Sequence, residues 1–257
     1  MKYLQSSVLF VLLLPLFASC TGEGICEPRA IVDLSPTVRA GLPTSTLGQK
    51  AAERLWKGDV VIENFGIEEP FYVQMSYVTI PTHVGAHVDP PNHAIKGAKG
   101  VDRLPLERFF GRAKVLDFRD RDQEEPLLVS DFEGKGIGAG DIVIAFVGYV
   151  PPSEPDELPS HPYLSEEAAE YLANIPVKAF ASDMPSIGSM RVAAELIEQG
   201  EAPGAEHHAL LSREVPNIEG LTNLEAIVDE QHVVFVGFPL KIEDGNGGPM
   251  RAVALVY

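Results

Sequence analysis

The sequence predicts a mixed α/β domain, and three observations predict it. Short runs rich in β-branched and aromatic residues outnumber helical stretches. One of them, Ile142–Val147 (IVIAFV), is apolar at every position, the pattern of a strand covered on both faces. Against these stands one stretch with a complete helix signature, Ser165–Asn174 (SEEAAEYLAN). The chain has 257 residues, 45% of them hydrophobic and 22% charged, which is enough for one sizeable core.

Taken in order, Ala30–Ser35 (AIVDLS) reads as a first strand closed by a turn. Thr46–Trp56 (TLGQKAAERLW) has helical composition, with Ser45 or Thr46 as its cap. Phe71–Thr82 (FYVQMSYVTIPT) is rich in aromatic and β-branched residues and reads as strand, as does Lys114–Phe118. Pro151–Pro162 is a proline- and acid-rich surface loop. Ser165 is placed to cap the helix, and Glu166 and Glu167 suit the positive end of its dipole. Val177–Ala181 is the strand after it. Val233–Ile242, the glycine-rich turn DGNGG (residues 244–248) and Arg251–Tyr257 then make a terminal hairpin.

The first residues stand apart from this domain. Lys2 precedes an apolar run, Ser7–Phe17 (SVLFVLLLPLF), too short to span a bilayer comfortably, and small residues lead into Cys20. This resembles a bacterial lipoprotein signal in which Cys20 becomes the lipidated first residue, with Phe17 where leucine is usual. A plain secretory signal cleaved nearby is the alternative. The expectation is a signal over residues 1–19, a tether over 20–29 and the domain over 30–257. The product would be exported and lipid-anchored to a bacterial membrane. Cys26 would then be a free thiol with no internal disulfide available, since the chain has two cysteines. The formal net charge of −17 repels phosphate backbones, which counts against nucleic-acid binding.

Residues 83–93, HVGAHVDPPNH, hold three of the seven histidines. Histidines four apart can meet a metal from one helix face, but Pro81, Pro90, Pro91 and the valines oppose a helix. An extended chain puts His83, Gly85, His87 and Asp89 on one face and Val84, Ala86 and Val88 on the other. Gly85 then leaves room between the two imidazoles. Two imidazoles and a carboxylate suit Zn²⁺ or Mn²⁺, and three protein ligands leave a position for water, as catalytic sites do. The plain alternative is a set of histidines satisfied by hydrogen bonds in a crowded strand. His93, beyond the Pro-Pro turn, is placed to move a proton; a further ligand or a loop-fixing hydrogen bond is its other reading.

The pattern H-x-G-[T/A]-H-x-D-x-P-x-H resembles the signature of the metal-dependent cyclase/hydrolase family that includes bacterial kynurenine formamidase and isatin hydrolase. Three further segments resemble the family in the same order: FASDMPSI (180–187), EHHALLSREVPNIEGLTNLE (206–225) and PLKIEDGNGGPMRAVA (239–254). The resemblance implies a swivelling β/β/α domain with a mixed sheet and a central metal site, often paired as a homodimer. It implies that His83, His87 and Asp89 hold a first ion, with Asp89 bridging to a second where one is present. His207 and Glu219 would complete the site; spacing alone leaves His207 and His208 tied. His93 would match the family's proton-shuttling histidine.

Ala86 stands where threonine is commonest. The opening DLSPTVRAGLP (33–43) also resembles the family's, and a helix-like insertion separates it from LWKGD (55–59), where Lys57 replaces proline. The resemblance to the family's W-P-G-D segment implies that Trp56 lies over the substrate; a core or lid tryptophan is its other reading. The expected function is hydrolysis of a carboxamide, such as N-formylkynurenine or another arylformamide, or of a cyclic amide or lactone, by water activated on one or two Zn²⁺ or Mn²⁺ ions. Glu219 would also help orient the water. Two other readings are a catalytically idle metal- or ligand-binding lipoprotein and a dehydratase or lyase on the same scaffold.

Overall fold

The computed structural model describes residues 26–40, 60–152 and 158–257. Strands β1 (Ala30–Asp33), β2 (Val61–Ile67), β3 (Val73–Thr79), β4 (His87–Asp89), β5 (Phe110–Asp117) and β6 (Pro126–Leu127) precede a one-turn helix, α1 (Val129–Phe132). Then come β7 (Ile142–Phe146), β8 (Tyr163–Leu164), α2 (Glu166–Asn174), β9 (Ala179–Ser182), α3 (Met190–Gln199), α4 (Ala205–Leu211) and β10 (Asn217–Glu219). Strands β11 (Val233–Val236), β12 (Gly248–Pro249) and β13 (Val253–Val256) close the chain. Nine of these strands form one mixed sheet in the order β1-β13-β11-β5-β7-β9-β10-β4-β12. Among the described residues no helix is long and apolar enough to cross a membrane.

The all-apolar β7 lies within the sheet, parallel to β5 and β9. Ile142, Ile144 and Phe146 enter one core with Val88, Ala181, Ile218 and Phe235. Val143 and Ala145 enter a second core with Leu172, Phe180 and Leu210, the side covered by α2 and α4. A strand buried on both faces needs no polar alternation, and β7 has none. Ser165 caps α2 by accepting the Ala168 N–H at 3.2 Å, while Ala168, Ala169, Leu172 and Ala173 turn inward.

Several elements depart from the sequence expectation. β5 begins at Phe110, four residues before Lys114, and β9 runs to Ser182. The Phe71–Thr82 run yields β3, which pairs with β2 in a separate hairpin, with every β3 residue exposed. The terminal hairpin forms as β11 against β13, but DGNGG is no tight turn between them. The connection crosses the molecule so that β12 pairs with β4 instead. Cys26 is disulfide-bonded, not a free thiol. The helix expected over Thr46–Trp56 lies outside the described residues.

The largest local correction concerns residues 83–89. Only His87–Asp89 is strand, and Gly85 stands at φ +61°. A chain passing through the left-handed region reverses locally, so His83 meets the site by a turn and not by alternation. A Cβ at Gly85 would face Pro36 and Val38 and not the imidazoles. The glycine therefore supplies a conformation, not space between rings.

Gly220, which follows β10, has φ +68°, and a Cβ there would lie 2.4 Å from the Gly85 carbonyl oxygen. The two backbones carrying the site meet at this point. Gly220→Ala therefore combines left-handed strain with a backbone clash, whereas Gly134→Ala (φ +72°, nothing within 4 Å) carries the strain alone. The expected losses in denaturant unfolding are about 1–2 kcal/mol at Gly134 and larger at Gly220. Equal losses would refute the close-contact account.

Candidate metal centre

Five segments meet around β4. His83 precedes that strand, His87 and Asp89 lie on it, and His93 ends a 3-10 turn begun by Pro91. His207 comes from α4 and Glu219 from the end of β10. The antiparallel register sets Glu219 opposite His87 and Asn217 opposite Asp89. Residues opposite one another share a face of the sheet, so both carboxylates and His87 project to the same side.

Asp89 is the hub. Its Oδ1 lies 2.8 Å from His83 Nδ1 and 3.6 Å from His87 Nε2. Its Oδ2 lies 3.8 Å from His207 Nε2 and 4.0 Å from His93 Nε2. Glu219 faces it, with Oε2 at 3.5 Å from His87 Nε2 and Oε1 at 3.3 Å from His207 Nε2. Glu219 Oε1 also accepts the Ile187 N–H at 3.0 Å. The structure thus brings together all five side chains expected at the metal, with His93 against them: its ring centroid is 4.6 Å from that of His83. His208 is exposed and turned away from this set, which separates the two adjacent histidines. Trp56 and Cys20 lie outside the described residues.

The donors fit a divalent ion. Two sets, His83–Asp89–His93 and His87–Asp89–Glu219, have ligand atoms all within 4.8 Å of one another. Donors about 2.1 Å from a common ion stand roughly 3–4 Å apart, depending on the angle between them, and the spacings above are of that size. Buried His87 Nε2 has no hydrogen-bond partner, the nearest oxygens of Glu219 and Asp89 standing at 3.5 and 3.6 Å. An orphaned buried polar atom is costly unless something satisfies it, and a cation between it and the two carboxylates does so. His87 Nδ1 lies 2.9 Å from the Gly85 carbonyl, so a proton there leaves Nε2 free to act as a ligand.

The electrostatics agree. Burial alone would push Asp89 up, but the charges of His93 and His83 hold it well below the usual carboxylate range. Burial likewise opposes a charged His87, yet nearby Glu219 and Asp89 outweigh it and raise that ring to about 9. His207 is raised by the same contest, between burial and the carboxylates of Glu206 and Glu219. Without an ion, protons hold these carboxylates in balance, and an ion replaces them.

Two features escape a reading by motif. Glu206 Oε1 stands 2.9 Å from His207 Nδ1, although in the sequence it looks like an ordinary acidic helix start. Gly247 lies against His83, where a Cβ would come within 2.8 Å of the ring. The only signal for it was the glycine density of DGNGG, which reads equally well as turn chemistry.

This chain is 27% identical over 229 residues to a kynurenine formamidase of Salinibacter ruber, covering 87% of this chain and 96% of that one. It is 27% identical over 253 residues to an isatin hydrolase of Roseibium aggregatum, covering 88% and 91%. Its fold is shared with isatin hydrolase A from Ralstonia solanacearum: TM-score 0.72 at 23% identity, covering 89% and 92% of the two chains. Residues 32–189, which contain His83, His87, Asp89 and His93, match the model of the Cyclase family, and the chain belongs to that family.

Proposed function

We propose that this protein is a metal-dependent hydrolase that adds water across the C–N bond of a carboxamide. The observation that carries this reading is the convergence of His83, His87, Asp89, His207 and Glu219 beside a partly exposed His93. The names of the relatives, kynurenine formamidase and isatin hydrolase, support an arylformamide such as N-formylkynurenine, or a cyclic amide, as the substrate class. The mixed imidazole–carboxylate set suits one or two ions of Zn²⁺ or Mn²⁺. Such an ion supplies Lewis acidity, lowering the pKa of water and polarising the carbonyl.

The chain's own groups do the rest. The His93 side chain is 32% exposed, whereas those of Asp89 and Glu219 are 2% and 5% exposed, so His93 is the ring a substrate meets. Burial, reinforced by the charges of His83 and His207, holds its pKa below the ordinary histidine range against the pull of Asp89. A neutral ring at neutral pH can accept the proton of the attacking water. It returns that proton to the nitrogen as the C–N bond breaks, and the water oxygen stays on the carbonyl carbon. The products are a carboxylic acid and an amine. Glu219, fixed by the Ile187 N–H, orients the water.

A homodimer belongs to the same proposal. The β2–β3 hairpin lies outside the main sheet and exposes Phe65, Met75, Tyr77 and Val78, with Phe65 stacked on Tyr77 at 5.1 Å. A contiguous apolar arm of this kind is expected to be covered by a partner.

Four outcomes test these readings. Purified protein restored with Zn²⁺ or Mn²⁺ is expected to hydrolyse a member of a formamide, lactam and lactone panel. His93→Ala should keep its ion by elemental analysis while losing about a hundred- to ten-thousand-fold in rate. No turnover across the panel, or a product lighter by one water, would sink hydrolysis in favour of ligand binding or a lyase. Because a ligating ring must be neutral, an ion expels the proton from His87 below pH 9, and affinity rises with pH up to that point. Calorimetry in buffers of different ionisation enthalpy should show net proton release near neutral pH; pH-independent binding would contradict the charge balance above. Met75→Glu together with Tyr77→Glu should convert a sedimenting dimer into a monomer, and an unchanged sedimentation coefficient would remove the hairpin from the interface.

A further inference from the structure

We infer that Glu206 and Gly188 act as a positioning pair that fixes the His207 ring for the ion, an inference that rests on the metal-centre reading above. A neutral imidazole has one N–H and one lone pair, and a carboxylate can only accept. With Glu206 Oε1 2.9 Å from Nδ1, the proton belongs on Nδ1. The lone pair is then on Nε2, which faces Glu219 Oε1 at 3.3 Å and Asp89 Oδ2 at 3.8 Å. This is the carboxylate–histidine–metal relay by which proteins set the tautomer and basicity of a ligating ring.

Gly188 makes the arrangement possible. A Cβ at that position would lie 1.9 Å from Glu206 Oε1 and 2.7 Å from its Cδ. Gly188 is not among the glycines with positive φ, so its backbone conformation does not call for glycine. The volume occupied by the carboxylate does. The backbone here is also held in place. Ile187 donates its N–H to Glu219 Oε1, and Ser189 caps α3 by accepting the Val192 N–H. One loop therefore holds the ligating carboxylate of Glu219 by an N–H and leaves room for the supporting carboxylate of Glu206.

The test reads zinc affinity of the full chain by competition with a chromogenic chelator, alongside melting of the metal-free protein. Glu206→Ala is expected to weaken zinc binding about 10- to 100-fold. Glu206→Gln, which keeps an acceptor and loses the charge, should fall between it and the wild type. Gly188→Ala leaves the carboxylate chemically intact but pushes its flexible end off His207, so it should reproduce the Glu206→Ala loss. The ¹⁵N shifts of the His207 ring should report a proton on Nδ1 in the zinc-loaded wild type. A purely structural role would lower the metal-free melting temperature and leave the affinity of the folded protein unchanged. If Glu206→Ala does not fold, the Gln and Gly188 variants carry the comparison. Variants that bind as the wild type does, or a His207 proton on Nε2, overturn this inference alone. A wild-type protein that takes up no zinc overturns the metal-centre reading, and this inference with it.

Discussion

Two carboxylates, Asp89 and Glu219, are buried on neighbouring strands and face the same side of the sheet. Taking such charges out of water costs several kcal/mol each unless opposite charge and hydrogen bonds replace the lost solvation. Much of the surrounding architecture supplies that compensation. Four imidazoles, from two sides of β4 and from α4, lie within 4.0 Å of Asp89. The Ile187 amide meets Glu219 from the loop after β9. The sheet order that sets β10 between β9 and β4 is what gathers these groups, since residues 83–93 and residues 206–219 are far apart in the chain.

Close approach is the second constraint, and glycines make it possible. Gly220 lets the β10 end cross the chain at Gly85, Gly247 lets the β12 connection lie on His83, and Gly188 leaves room for Glu206. Each removes a side chain where two backbones, or a backbone and a functional group, must share space. The strand β12 is only two residues long, yet it brings the C-terminal segment alongside β4, opposite the side paired with β10. The site is thus flanked on both edges by chain distant in sequence. Its inner groups are buried, while His93 keeps contact with solvent. That gradient from buried donors to a reachable ring would suit a hydrolytic centre, in which an ion must be held rigidly and a proton carrier must meet substrate.

The remaining apolar surface is unevenly distributed. Two apolar cores are buried on the nine-stranded sheet, yet the β2–β3 hairpin leaves large side chains uncovered. In a chain of net charge −17, general repulsion between copies is strong, so any pairing must be driven by local apolar contact. The hairpin offers such contact.

Much of the chemistry was legible in the sequence, because donor type and short spacing are local properties. HVGAHVDPPNH announced a candidate divalent-ion site, the all-apolar Ile142–Val147 run announced an interior strand, and Ser165 announced the start of α2. The tertiary structure decided what depends on contacts between distant segments. Alternation implied a continuous strand from His83 to Asp89, whereas Gly85 breaks it and a turn delivers His83 instead. Spacing left His207 and His208 equivalent until the packing of α4 against the sheet turned one inward. Glu206 and Gly188 are separated by a helix and a loop, and only the fold shows that one occupies the space the other leaves. Local periodicity determines which way a side chain points along its own segment; which groups it meets there is set by strand order and register, and a single sequence does not display those.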